Sequence, residues 1–183
     1  MRRLMFGRLL AYKGIDLLIA ALENMPATME FNLRVVGLGP ETAELRTLAA
    51  MPGVTVENRW VPEDEIAALI SWADVMVLPY REASQSGVGA VALAAGKQVL
   101  ATRVGGLEEQ FAGEAGVSLC APEAAALTQA LQEVICKGPT IKEMTSRSAQ
   151  QWETMVARML ADIEAEYEIR SVALAADAVA SIS

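Results

Sequence analysis

Runs of consecutive apolar residues alternate with longer segments in which apolar residues recur every three or four positions, as far as about residue 137. Uninterrupted apolar runs are typical of strands buried on both faces, and the longer spacing is typical of amphipathic helices. The pattern predicts strands over residues 3–6, 32–36, 54–58, 75–78, 98–101 and 116–120. It predicts helices over residues 14–24, 41–51, 63–71, 86–95 and 123–137.

The alternation of strands and helices predicts an α/β fold with a doubly wound, Rossmann-like parallel sheet. Pro40 and Pro62 each precede acidic residues. Proline and carboxylates are both favourable at the start of a helix, so we expect two helices to begin there. Ligands of such sheets bind beyond the carboxyl ends of the strands, where the loops after the first, second and fourth strands should meet.

The last part of the chain has no strand pattern, and its apolar residues lie on one face of a long predicted helix: Trp152, Val156, Met159, Ile163 and Tyr167. We therefore predict a Rossmann-like domain over residues 1–140 and a helical extension of it over residues 141–183. Such a stripe needs a covering surface, so we expect the extension to fold onto its own domain, to pair with a second chain or to be mobile.

Composition narrows the class of protein. The 183 residues are 53% hydrophobic, which suits one globular domain, and the net charge of −8 without a basic stripe disfavours a nucleic-acid or anionic-membrane surface. No run of about 18 apolar residues occurs, so no transmembrane segment is expected. Two cysteines, Cys120 and Cys136, and no histidine leave little for a soft-ligand metal site and indicate a reducing, cytoplasmic environment.

The loop after the first predicted strand reads GRLLAYKG and carries two cations, Arg8 and Lys13, five positions apart. Next to a helix start, cations and backbone amides suit a diphosphate, because both donate hydrogen bonds to its oxygens. Solvated surface charge is the alternative interpretation.

The loop after the second strand, GLGP, resembles part of a dinucleotide-binding motif, and Glu57 lies where a ribose-binding acid would follow. The motif is incomplete, because Thr42 stands where its third glycine belongs and because the motif usually follows the first strand. A nicotinamide-dependent oxidoreductase is therefore disfavoured.

The loop after the fourth strand reads EASQSGVGAVALAAG over residues 82–96. We expect Ser86, Gly87 and Val88 to begin a helix whose free amides face a ligand. Close packing explains the alanines of this helix but not the polar residues Glu82, Ser84 and Gln85. Polar side chains at a buried edge need partners, which a sugar or nucleotide would supply.

Six segments in this order resemble the C-terminal, donor-binding domain of a retaining GT-B glycosyltransferase of family 4 ("group 1"), over roughly residues 3–167. They are FGRLLAYKGIDLLIAAL, LRVVGLGP, a short helix with an acidic start, SWADVMVLPYREASQSGV, GKQVLATRVGGLEE and a late helix containing tryptophan.

The resemblance implies a role for each matched residue. Arg8 and Lys13 match the basic pair that neutralises the donor diphosphate, and Gly7 precedes Arg8 in the same candidate loop. Glu82 matches a glutamate near the donor sugar. Further matches lie around the nucleotide: Gly37, Gly39 and Pro40 on one side of the cleft, Arg59, Trp60 and Val61 near the base, and Ser86, Gly87 and Val88 at the helix start, beside the candidate binding residues Ser84 and Gln85. Gly105 and Gly106 match a nearby loop whose glycines allow close packing.

Two features depart from the family. A second glutamate, which grips the ribose, is expected eight positions after Glu82, but Ala90 stands there. In addition, the chain begins at the first strand of the second GT-B domain, so the N-terminal acceptor domain is expected to be missing.

The resemblance implies the donor-binding half of an enzyme that moves a sugar from a UDP- or GDP-type nucleotide to a hydroxyl acceptor with retention. Arg8, Lys13 and Glu82 are the predicted catalytic residues, no metal or cofactor is expected, and the isolated chain is expected to be inactive. A non-catalytic nucleotide-binding or interaction module is the alternative, which Ala90 and the missing domain favour.

Overall fold

The structure, a computed structural model, describes residues 1–138. Its six strands are β1 (Arg2–Phe6), β2 (Asn32–Gly37), β3 (Val54–Asn58), β4 (Val75–Leu78), β5 (Gln98–Thr102) and β6 (Val117–Cys120). Its helices are α1 (Ile15–Glu23), α2 (Ala43–Ala49), α3 (Glu63–Trp72), α4 (Gly87–Ala94), α5 (Gly106–Phe111) and α6 (Ala124–Lys137), and a single 3-10 turn covers Ala11–Lys13.

The strands form one parallel sheet in the order β3-β2-β1-β4-β5-β6. The chain builds outward from β1 to β3, then returns to the other side of β1 and builds outward to β6. This order is that of a doubly wound Rossmann-like sheet, and the predicted fold class is confirmed. The direction of winding reverses between β1 and β4, and ligands of doubly wound sheets bind at the carboxyl edge of this point.

Both faces of the sheet are covered by helices, which explains the uninterrupted apolar runs. On one face, Leu4, Phe6, Met76 and Leu78 pack with residues of α3, α4 and α5. Residues of β1, β2, β4 and β5 pack on the other face with α1, α2 and α6: Met5, Val35, Val75, Val77 and Leu100. Strand side chains alternate between faces, so a strand covered on both sides needs apolar residues at every position.

The start of the second predicted helix needs correction. The second helix begins at Ala43 rather than at Glu41, because Thr42 is its N-cap and accepts a hydrogen bond from the Leu45 amide at 3.3 Å. Helix α3 begins at Glu63, as predicted, and Pro62 is its N-cap residue. The sequence analysis also missed α5, six residues long, which packs Leu107 and Phe111 into the core.

The predicted extension over residues 141–183, with the apolar stripe from Trp152 to Tyr167, lies outside the described residues. Within residues 1–138, no helix combines the length and apolarity needed to cross a bilayer. The same range holds no group of three or more cysteine, aspartate or glutamate side chains placed to hold a metal ion.

Candidate functional site

The loops that follow β1, β2 and β4 are in direct contact at the carboxyl edge of the sheet. A Cβ at Gly37 would overlap the carbonyl oxygen of Gly7, and a Cβ at Gly14 would overlap that of Pro79. Only glycine allows backbones to approach so closely. Gly7 in turn lies against the first turn of α4, where a Cβ would stand 3.7 Å from Val88. The structure therefore brings the predicted loops together at the reversal point of the sheet.

Asn58, at the end of β3, fixes the loop after β2. Its Oδ1 accepts a hydrogen bond from the Gly39 amide at 2.9 Å, and its Nδ2 donates to the Gly39 carbonyl at 3.0 Å and to Glu41 at 2.6 Å. Gly39 also packs directly on the carbonyl oxygen of Leu9, while Pro40 is exposed. The predicted nucleotide-side loop is thus held against the loop that carries Arg8.

Lys13 is buried at this edge, with 9% of its surface exposed. Its Nζ donates to the hydroxyl of Tyr80 at 2.6 Å and lies 3.9 Å from the centre of the Tyr80 ring. Burial, with a smaller contribution from the charge of Arg8, lowers the pKa of Lys13 to about 8. Burial also raises the pKa of Tyr80 to about 12, so its hydroxyl is neutral and can accept from the ammonium.

Arg8 is half-buried on the loop after β1. Its Nη2 donates to the hydroxyl of Tyr12 at 3.4 Å, and the Tyr12 ring centre lies 5.2 Å from the Nζ of Lys13. Both cations therefore contact the Tyr12 side chain. Two like charges held together in this way are stabilised by a polyvalent anion.

The start of α4 faces the same edge. Ser86 is buried as the N-cap, and its Oγ accepts a hydrogen bond from the Gly89 amide at 3.2 Å. Gly87 and Val88 occupy the first turn, where helix amides have no partner within the helix. The prediction that the Ser86 amide is free for a ligand is wrong, because this amide donates to the Oε1 of Gln110 at 2.8 Å.

Gln110 and the start of α5 hold the segment before α4. The Nε2 of Gln110 donates to the Ser86 carbonyl at 3.0 Å, which completes a two-bond bracket on that residue. Gly106 donates its amide to the Ala83 carbonyl at 3.0 Å, and a Cβ at Gly106 would overlap the carbonyl oxygen of Ser84. Gly105 packs on Ala83 in the same way. The short helix α5 therefore determines where the candidate donor loop lies.

The segment predicted to hold the base presents one large side chain to the surface. Trp60 is 46% exposed, whereas Val61 is buried in the core. Arg59 bonds to Glu65 at 2.6 Å and to Glu57 at 3.2 Å, and Arg34 forms a second ion pair with Glu57. Burial by itself raises the pKa of Glu57, but the arginine hydrogen bonds outweigh it and hold the pKa below its ordinary value. These contacts make Glu57 part of a charge network.

The polar residues of the donor loop are more exposed than expected. Glu82, Ser84 and Gln85 lie at the surface, so they need no partner within the protein. Ala90 is half-buried in α4, where its amide donates to the Ser86 carbonyl at 3.1 Å. The position that would carry the second family glutamate is therefore on the first part of α4, close to the candidate edge.

Three residues that hold the site together were not identified from the sequence: Asn58, Tyr80 and Gln110. Their contacts are distant in sequence: Asn58 bonds to Gly39, 19 positions away, Tyr80 to Lys13, 67 positions away, and Gln110 to Ser86, 24 positions away. Of these, Tyr80 carried a usable signal, because it lies two residues after a buried strand whose carboxyl end was predicted to face the ligand.

Comparison with known proteins identifies the family. The family described as "Glycosyl transferases group 1" matches residues 2–137. The chain is 30% identical over 152 residues to a 2-deoxystreptamine glucosyltransferase of Streptomyces kanamyceticus, covering 80% of this chain and 39% of that protein. It is 32% identical over 162 residues to a glycogen synthase of Mycobacterium tuberculosis, covering 81% and 39%. The chain thus spans about two fifths of the length of these relatives.

The fold agrees with solved structures of such enzymes. The sucrose-phosphate synthase of Thermosynechococcus elongatus superposes with a TM-score of 0.65 and 25% identity, covering 91% of this chain and 45% of that one. A glycosyltransferase of Rickettsia africae shares the fold with the same TM-score at 19% identity, covering 86% of this chain and 45% of that one. The sheet order, the loops at its reversal point and the family match over nearly all described residues lead to one conclusion: the chain belongs to the group 1 glycosyltransferases.

Proposed function

We propose that the carboxyl edge between β1 and β4 binds the diphosphate of a UDP- or GDP-type nucleotide sugar. The convergence of Arg8, Lys13 and the first turn of α4 at the reversal point of the sheet is the observation that supports this. A diphosphate offers charged oxygens to both cations, and the positive end of the helix dipole favours the same ligand.

In the parent enzyme, the sugar would pass from the nucleotide to a hydroxyl acceptor with retained anomeric configuration. Arg8 and Lys13 would stabilise the charge that develops on the departing diphosphate, a role in which fixed donors lower the barrier. Glu82, exposed at the start of the donor loop, would lie near the sugar. Because the relatives are more than twice as long as the matched part, we assign the acceptor site to a further domain.

Isothermal titration calorimetry tests the diphosphate site with UDP, GDP and ADP, and with the corresponding nucleosides. Arg8→Ala and Lys13→Met should each weaken binding of the diphosphate that the wild type prefers by about tenfold or more, since bonds to charged groups contribute about 1.5–3 kcal/mol. Binding of the nucleoside should change little, because it lacks the phosphates.

Lys97→Met is the matched control. Lys97 lies directly before β5, at the edge of the sheet opposite the candidate site, and its Nζ donates to the Ser71 carbonyl. Its replacement should therefore leave nucleotide affinity unchanged. Equal affinity of the wild type, Arg8→Ala and Lys13→Met for the diphosphate would contradict the proposed site.

A non-catalytic nucleotide-binding module is the second candidate, and Ala90 favours it because the family's ribose-binding carboxylate is absent there. Both candidates bind a nucleoside diphosphate. Sugar transfer after a matching acceptor domain is supplied would separate the enzyme from the module.

A further inference from the structure

Tyr80 holds the buried amine of Lys13 from two directions. The phenolic oxygen accepts from Nζ at 2.6 Å, and the ring centre lies 3.9 Å from the same nitrogen. Tyr80 is itself fixed, since 1% of its surface is exposed and its carbonyl accepts a hydrogen bond from the Thr102 hydroxyl at 2.6 Å. The amine therefore rests on a rigid part of the core.

The same hydroxyl connects Lys13 with the start of α4. The oxygen of Tyr80 lies 3.4 Å from the Oγ of Ser86, which caps the helix by accepting from the Gly89 amide. A continuous set of contacts thus runs from the ammonium on the β1 loop to the helix N-terminus after β4. The Tyr80 hydroxyl thus links the two groups that are proposed to meet the diphosphate.

We propose that Tyr80 is a positioning residue, which fixes the amine of Lys13 at the carboxyl edge and keeps it protonated there. The inference rests on the proposed role of Lys13 toward a donor diphosphate. An ammonium has three donors, and Tyr80 takes one of them, so two hydrogens are left for phosphate oxygens.

The physical reason lies in the burial of the charge. Taking an ammonium out of water disfavours the charged form, and burial accordingly lowers the pKa of Lys13 to about 8. A hydrogen bond from a charged donor is roughly twice as strong as a neutral one, so the phenolic oxygen favours the protonated amine. The ring face adds a cation–π attraction.

Few ionisable groups face Lys13 in the described chain. Arg8, on the loop after β1, opposes the charge on Lys13. Tyr12 lies on the same 3-10 turn and presents its ring, and Tyr80 follows β4. The start of α4 contributes the Ser86 hydroxyl, which does not ionise in this range. The Tyr80 oxygen accepts a hydrogen bond directly from the Lys13 amine at 2.6 Å, so its removal should matter most.

A titration without any ligand tests the proposal on the full 183-residue chain. The protein is labelled with 13Cε-lysine, and the Lys13 signal is identified by its absence from Lys13→Met. Tyr80→Phe keeps the ring face and removes the hydroxyl, so the pKa of Lys13 should fall by about one unit. Tyr12→Phe is the comparison variant, because the Tyr12 hydroxyl bonds to Arg8 rather than to Lys13, and its effect should be much smaller.

Calorimetry with the nucleoside diphosphate that the wild type prefers gives the second readout. Only the protonated amine is expected to bind the phosphates. If the pKa of Lys13 falls by one unit from about 8, the nucleotide affinity of Tyr80→Phe should be at most about twofold lower than that of the wild type at pH 7, and nearly tenfold lower at pH 9. In the Lys13→Met background, Tyr80→Phe should cause no additional loss, because the two residues act as a unit.

An unchanged pKa of Lys13 in Tyr80→Phe would overturn the inference, as would an affinity loss of equal size at pH 7 and pH 9. If no nucleoside diphosphate binds the wild type, the proposed function fails, while the lysine titration still decides the role of Tyr80. If Tyr80→Phe does not fold, replacing the tyrosines with 3-fluorotyrosine weakens the same acceptor at nearly constant volume, and the pKa of Lys13 must again fall.

Discussion

The carboxamide of Gln110 brackets the backbone of Ser86, accepting from its amide at 2.8 Å and donating to its carbonyl at 3.0 Å. Ser86 is the N-cap of α4, and Gln110 lies on α5, a helix of six residues. This contact makes α5 the support of the candidate donor loop. The position of the candidate donor loop therefore depends on α5, although no side chain of α5 was predicted to contact the ligand.

Gln110→Met should destabilise the fold, because methionine has a similar length but forms neither bond. The Ser86 carbonyl keeps the Ala90 amide as a donor, so the main loss is an unpaired amide, which costs about 1–3 kcal/mol. Urea unfolding followed by circular dichroism measures this. Gln129→Met, at an exposed position of α6, should change stability by less than about 0.5 kcal/mol. Equal stabilities for the two variants would show that the bracket contributes nothing.

Lys13→Met should stabilise the fold at pH 7. The folded pKa of about 8 lies below the ordinary value of 10.5, so the unfolded chain binds more protons between these values and wild-type stability rises with pH there. Methionine has no charge to bury, so its advantage should be complete below pH 8, at about 1–3 kcal/mol, and should shrink toward pH 10.5.

Urea unfolding of Lys13→Met and of the wild type at pH 7 and pH 10 measures that difference. Lys137→Met, at an exposed position at the end of α6, is the control and should stay within about 0.5 kcal/mol of the wild type. An advantage that does not shrink at pH 10 would mean that the lysine charge is not its cause.

Gly106→Ala should be more destabilising than Gly116→Ala. A Cβ at position 106 would overlap the Ser84 carbonyl oxygen, and overpacking of this kind typically costs about 1–3 kcal/mol. Gly116 has a φ of +88° but open space around it, so alanine there meets backbone strain alone, about 1–2 kcal/mol. Nucleoside diphosphate affinity should fall only in Gly106→Ala, because that change moves the donor loop. Calorimetry and urea unfolding on the same samples separate the two effects.

Ala90→Glu should tighten nucleoside diphosphate binding by about tenfold, if a carboxylate at this position bonds to the ribose hydroxyls as in the family. Binding of the same base without its ribose should not change. Calorimetry at pH 7 provides the affinities. A destabilised fold with unaltered affinity would show that position 90 packs toward the sheet and that the family's register does not extend to it.

The isolated chain should bind a nucleoside diphosphate weakly and neither transfer sugar nor hydrolyse the donor appreciably. Holding the acceptor in line and excluding water accounts for about 7–11 kcal/mol of barrier lowering, and one side of a cleft supplies little of it. Release of UDP or GDP from the nucleotide sugar, with and without a matching N-terminal domain, measures the difference. Robust turnover by the 183 residues alone would mean that the catalytic groups have been misplaced.

The strands could be predicted from the sequence because their signal is local. Strands β3 and β4 have the predicted bounds, and the others differ by one residue at an end. Helix α5 could not be predicted in this way, since its six residues include only two buried apolar side chains, Leu107 and Phe111. Two apolar positions do not establish a period, and α5 is stabilised by contacts with the rest of the fold.

The edge that carries the candidate site could also be predicted, because the alternation of strands and helices implies a parallel sheet and parallel strands end on the same side. Arg8, Lys13 and the start of α4 were placed there by this rule alone. Their proposed role in binding a nucleotide sugar is still a prediction.

Sequence alone therefore determined the type and order of the strands, the helices that separate most of them, and the shared edge of the loops. Only the tertiary structure decided that Lys13 is buried against Tyr80, 67 positions away, while Arg59 is held at the surface by Glu57 and Glu65. The physical reason is that apolar periodicity is a property of neighbouring residues. The burial and pairing of a charge depend instead on segments that meet only when the sheet has formed.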